Sequence, residues 1–120
     1  MADPNIISVT SIYGKTATGT LSTSLTTFLT CPANKVLKIN TIIVSNRTGS
    51  TSRDATIDFY DNSRLALCYL AFTIPVLPDS SLVLVGKDTP IYLQENDLIR
   101  GLASASASLD IIISYEEITA

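Results

Sequence analysis

The residues of this chain singled out for possible chemistry are its carboxylates and thiols, and its 120 residues include no histidine. That removes the commonest general base, the usual partner of a nucleophilic Ser or Cys, and the commonest metal ligand. The two cysteines, Cys31 and Cys68, sit in apolar settings, "FLTCP" and "LALCYLAF". Neither has a sequence neighbour that would activate a thiolate, and their spacing is not that of a metal site. They read as two buried thiols, with a Cys31–Cys68 disulfide as the alternative.

The carboxylates offer two chemistries. A pair of them could support glycoside hydrolysis, and Asp54, Asp58, Asp61, Glu95, Asp97, Asp110, Glu116 and Glu117 are the candidates. Most fall in turns or on polar strand faces, where solubility accounts for them. Oxygen-rich loop tips could hold calcium, but "DNS" and "END" lack the ligand density of an EF-hand loop. Asn46-Arg47-Thr48 matches a glycosylation sequon, which is read as coincidence in a chain without a signal peptide. The expectation is a protein that is not an enzyme and carries no metal and no cofactor.

Charge excludes another class. The net charge is −3, and Lys15, Lys35, Lys38, Arg47, Arg53, Arg64, Lys87 and Arg100 are scattered. Nucleic-acid binding needs a clustered basic footprint, so no nucleic-acid partner is expected. The longest apolar runs are far shorter than a membrane span, so no membrane partner is expected either. The opening "MADPNIISVT" has neither a charged nor an apolar signal region, which points to folding in a cytosol.

The elements that would position these residues are strands. The chain has 15 Thr and 14 Ser, abundant Ile, Val and Leu, one Gln and three Glu. That composition favours strands over helices. Residues 5–12, "NIISVTSI", are apolar on both faces; 13–25, "YGKTATGTLSTSL", are small and polar, a loop or an edge strand. Residues 24–32 form a short strand ended by Pro32. "KVLKINTIIVSN" (35–46) is the best strand, with Leu37, Ile39 and Ile43 on one face and Ile42 and Val44 on the other, which implies cover on both sides over part of its length. A loop at 47–54 follows. In 55–61, Ala55, Ile57 and Phe59 face in and Thr56, Asp58 and Tyr60 face out. Residues 65–75 form a strand apolar on both faces; 82–86 and 90–94 are short strands, and 95–97 turn tightly.

The close, "LIRGLASASASLDIIISYEE", reads as a hairpin with the small residues at its tip. Leu109, Ile111 and Ile113 then face the core, with Asp110, Ser114 and Glu116 outward. Ile112 breaks the outward polar pattern and marks a contact with a neighbouring subunit. The fold class is all-β: an antiparallel sandwich or jelly roll of about eight strands without a long helix. Residues 1–14 are assigned to an N-terminal strand or arm and 15–120 to a single sandwich domain.

Three stretches, "MADPNIISVTSIYGKT", "CPANKVLKINTIIVSN" and "PIYLQENDLIRGLASASASLDIIISYEE", carry a pattern whose overall order spans nearly the whole chain. In their order and spacing the chain resembles small virion structural proteins of tailed phages, particularly marine cyanophages. The resemblance implies a β-sandwich that coats or joins parts of a virion assembled in the host cytoplasm. A capsid decoration or cement protein is the first reading. A neck, tail or fibre component and a carbohydrate- or host-surface-binding module are the others. The implied partners are other virion proteins, the major capsid protein or a neck or tail protein, and further copies of the chain. A trimer would suit three-fold positions on a capsid.

Candidate contact residues follow from the pattern. Ile6, Ile7, Val9 and Ile12, with Tyr13 beside them, could anchor the arm by adding a strand to a neighbour's sheet, or could be the first strand of the chain's own sandwich. Arg47 and Arg53 in the 47–54 loop could pair with acidic groups on a partner. Ile112 completes the set.

Overall fold

The computed structural model describes residues 11–119, and these form nine strands and no helix. The strands are β1 (Ser11–Thr20), β2 (Thr26–Thr30), β3 (Lys35–Asn46), β4 (Arg53–Asp61), β5 (Ala66–Val76), β6 (Ser81–Val85), β7 (Ile91–Leu93), β8 (Leu98–Ala103) and β9 (Leu109–Thr119). They make two antiparallel sheets. One runs β1-β9-β3-β6, with β7 also paired to β3; the other runs β2-β8-β4-β5. The sandwich expected from composition and turn spacing is therefore the fold. The candidate contacts Ile6, Ile7 and Val9 lie outside the described residues.

The core fills the space between the sheets. Leu37, Ile39, Ile42, Val44, Leu109, Ile111 and Ile113 enter from the first sheet. Leu29, Ala55, Ile57, Ile99 and Ala103 meet them from the second. Two inward positions are glycine because a neighbour occupies the place of a side chain. A Cβ on Gly101 would lie 2.7 Å from Ile57 Cδ1 and 2.9 Å from Leu21 Cδ2, and one on Gly19 would lie 2.6 Å from the Phe28 ring.

The parity of β3 differs from the expectation, and the cause is local. Ile39 stands opposite Tyr115 and Thr41 opposite Ser114, so Asn40 has no counterpart on β9. One extra residue flips every later side chain to the other face. Leu37 and Ile39 before the bulge, and Ile42 and Val44 after it, all point into the same core and are buried. Ile43 points outward instead. β3 is covered on both sides at its start, where the consecutive Val36 and Leu37 are both buried, and it changes step halfway.

The last two strands are also joined differently. β8 pairs with β2 and β4 in one sheet, while β9 pairs with β1 and β3 in the other. "SASAS" (104–108) is an arch between the sheets and not the tip of a hairpin. Five residues are ample to cross the ~10 Å between packed sheets. Ala107 turns the chain with φ 56°, and Ser108 Oγ donates to the Ala105 carbonyl at 2.7 Å. The Ser104 N–H donates to the Asp54 carbonyl and the Arg47 N–H to that of Ser108. Within β9 the facing is as expected: Leu109, Ile111 and Ile113 are buried and Ile112 is 40% exposed.

Residues 13–20, one half of the open choice between loop and edge strand, lie in β1. Its register with β9 runs from Ser11 opposite Thr119 to Thr20 opposite Asp110 without a break. On β4, Thr56 and Asp58 occupy the outer face as expected, yet both are buried. Cys31 is buried with its thiol donating to the Lys35 carbonyl at 3.2 Å, but Cys68 is exposed, because β5 is the outermost strand of its sheet.

Candidate docking surface on the β5 flank

The carboxylates are dispersed, and six of the candidates are bound into their own local structure. Asp97, almost fully buried, accepts from the Asn62 and Gln94 N–H groups and fastens two turns together. Glu95 accepts from the Asn34 N–H at 2.8 Å. Asp61 accepts from Ser63 Oγ at 2.8 Å, which together with backbone bonds from Ser63 and Arg64 lowers its pKa. Asp110 accepts from Thr20 Oγ1 and pairs with Arg47 at 3.5 Å. No group of three or more His, Cys, Asp or Glu side chains that could hold a metal ion occurs among the described residues.

Two carboxylates are buried with cations. Asp58, 1% exposed, accepts from Arg100 Nε at 2.9 Å, and the Arg100 guanidinium lies 4.7 Å from the centre of the Tyr60 ring. Glu117 Oε2 accepts from both Lys15 Nζ and Lys35 Nζ at 3.1 Å. Burial pushes the Glu117 carboxyl up, but the bonds and charges of the two lysines outweigh it, and its pKa is lowered. A group whose folded pKa lies below its unfolded value stabilises above the unfolded value and loses that contribution as pH falls through the folded one. Glu117→Gln is therefore expected to be less stable than the parent at pH 7 by about 1 kcal/mol. The gap should narrow as pH falls below the ordinary carboxylate range and on through the lowered folded pKa, where the parent's carboxylate becomes protonated. Thermal melts of both proteins from pH 7 to pH 3 check this.

The 47–54 loop is better ordered than its composition implies. Asn46 Nδ2 donates to the Thr51 and Val76 carbonyls, both at 2.9 Å, while its Oδ1 accepts from the Thr48 N–H and Oγ1. The sequon asparagine is thus buried and spent on closing the loop. Arg53 opens β4 with its Nε buried and without a hydrogen bond among the described residues. The described contact candidates do not converge. Ile12 and Tyr13 are exposed at one end of the first sheet, and Arg47 sits with Asp110 at the other. Ile112 lies on the outer face, in register with Ile43 and, beyond it, Val83.

The largest concentration of exposed apolar groups lies elsewhere. Leu65, Leu67, Tyr69, Phe72, Ile74 and Leu77, along β5 and its adjoining turns, are 39–74% exposed. The Tyr69 and Phe72 rings touch, with centroids 4.7 Å apart. Leu67 stands opposite Tyr60 and Tyr69 opposite Asp58, so the patch continues onto the Arg100–Tyr60 stack. Scattered apolar residues on a surface are ordinary, but a contiguous group with aromatics and an arginine has the composition of an interface core.

The edge of β5, in contrast, is guarded. Pro75 removes a donor, and the register with β4 shifts twice, between Ala55 and Ile57 and between Ile57 and Asp58. Thr73 takes φ 49°, unusual for a β-branched residue, with its N–H donating to Thr56 Oγ1. Bulges and proline are the usual devices against strand addition. The flank is thus a surface for side-chain docking and not a template for another strand. Its sequence signal was available: a strand apolar on both faces that also holds a proline belongs at an edge, and an edge strand of that kind leaves apolar groups exposed.

What the fold defines is a class: a nine-stranded, two-sheet antiparallel sandwich. No family model and no curated protein matches the chain. Among solved structures it is similar to a subunit of Bacillus endospore appendages, described as a novel family of disulfide-linked pili, with a TM-score of 0.53 at 14% identity. The match covers 92% of this chain and 88% of that one, and it is a likeness of fold.

Proposed function

We propose that this chain is a structural assembly subunit that works by docking, and specifically a decoration protein on the head of a tailed-phage virion. The observation that carries the docking role is the exposed β5 flank: Leu67, Tyr69 and Phe72 beside the Arg100–Tyr60 stack. Aromatic and arginine side chains dominate interface energetics, whereas isolated rim charges contribute little. The placement on a phage head rests on the resemblance in sequence. The sandwich shared with a pilus subunit is compatible with a protein whose work is assembly. In this reading the flank packs on the major capsid protein; a neck or tail position is the alternative.

The test uses the full chain and a Tyr69→Ser/Phe72→Ser variant, each added to phage heads that lack the protein. Loss of two aromatic anchors should weaken binding at least about tenfold, while the variant keeps the parent's circular dichroism and unfolding transition. Parent-like binding by a folded variant would falsify the flank as the docking surface. Copy number separates the two locations: hundreds per particle for decoration, a few tens or fewer for a neck or tail piece.

A further inference from the structure

The five outer strands of the two sheets are not alike: β7, paired only with β3, has three residues. β2 and β6 have five residues each and carry register shifts, and β5 carries two shifts and Pro75. β1 has ten residues, no proline and an unbroken register with β9. Its other edge has no strand beside it among the described residues. Long, flat, unguarded edges are what natural sandwiches avoid unless another strand pairs with them. A lysine is the usual guard, and β1 has one, Lys15. It is held against the buried Glu117 carboxylate at 3.1 Å, on the face shared with Ala17, which packs on the core.

From this we propose that β1 of one copy pairs antiparallel with β1 of a second, about a two-fold axis through Thr16. The two sheets then become one continuous sheet across the dimer. Residues opposite each other must share a face, so the axis passes through a residue and not between two. With the axis at Thr16, Lys15 stands opposite Ala17, Gly14 opposite Thr18, Tyr13 opposite Gly19 and Ile12 opposite Thr20. No charge faces a like charge in this register. The register centred on Lys15 would set the two lysines against each other, which disfavours it. Tyr13 over Gly19 places an exposed ring beside a residue with no side chain. A second copy fits this edge because β1 carries no charge beyond the one Glu117 already holds. This pairing stands independently of the β5 flank.

The test is sedimentation of the full chain up to about 100 μM, where a dimer with a dissociation constant near 10 μM is mostly formed. The parent is expected to dimerise. Thr16 is exposed, so Thr16→Lys and Thr16→Glu should fold; each alone should be monomeric, and an equimolar mixture should restore the dimer. In a Cys68→Ser background, Thr16→Cys should cross-link to itself under mild oxidation. A parent that stays monomeric, or a dimer indifferent to Thr16→Lys, overturns the proposal. So does a dimer that survives Thr16→Lys but is lost when residues 2–10 are removed, which would assign the contact to the N-terminal segment.

Discussion

Ile111→Asp is expected to yield a protein with no cooperative unfolding transition, while Ile112→Asp, one residue on, should fold like the parent. Ile111 is 1% exposed, on the central axis of the core between Val44 and Gly19. The substitution removes burial worth roughly 2–3 kcal/mol and sets an unpaired carboxylate among Leu, Ile and Val side chains. Together these exceed about 5 kcal/mol, the lower end of a domain's whole stability. Ile112 points to solvent on the other face of the same strand, and aspartate there costs little beyond a change of exposed surface. Circular dichroism and urea unfolding of the two proteins distinguish the faces. Equal behaviour of the pair would contradict the facing of β9.

Arg100→Met should cost about 3 kcal/mol, because it leaves the Asp58 carboxylate buried and without its cation. Asp58 is shielded by the guanidinium that binds it at 2.9 Å and by the adjoining β5 side chains on the outer face of β4. The variant also loses the stack on Tyr60. The double variant Arg100→Met/Asp58→Leu should recover most of the loss, since an apolar pair of similar volume substitutes well for a buried ion pair. In denaturant the single variant's midpoint should fall with an unchanged slope. A single variant as stable as the parent would show that the pair is solvated.

These two sites also mark where the sequence could and could not be read. The inward facing of Ile111 follows from the period-two placement of Leu109, Ile111 and Ile113 in "LDIIISYEE", which Ile112 interrupts only on the outer face. Asp58 was placed correctly on the outer face of β4, but its burial was not legible. It depends on Arg100, forty-two positions away, and on the neighbouring β5, whose Tyr69 stands in register with it. A single bulge at Asn40 likewise inverted half of β3, and nothing in "LKINTII" announces the extra residue. The arch at 104–108 was invisible for a different reason. A hairpin turn and a crossing between sheets need similar lengths of small residues, and only the pairing partners of β8 and β9 tell them apart. The candidate surface was half legible. A strand apolar on both faces that holds a proline points to an edge, but which of its apolar groups stay exposed depends on two register shifts against β4, which local pattern does not encode.

Docking of this chain as an assembly subunit through its β5 flank is decided by a density map of an intact particle containing it. The map is expected to show Leu67, Tyr69 and Phe72 packed against the major capsid protein on the outside of the head. A chain seated in the particle with this flank facing solvent, and its contacts made elsewhere, would contradict it.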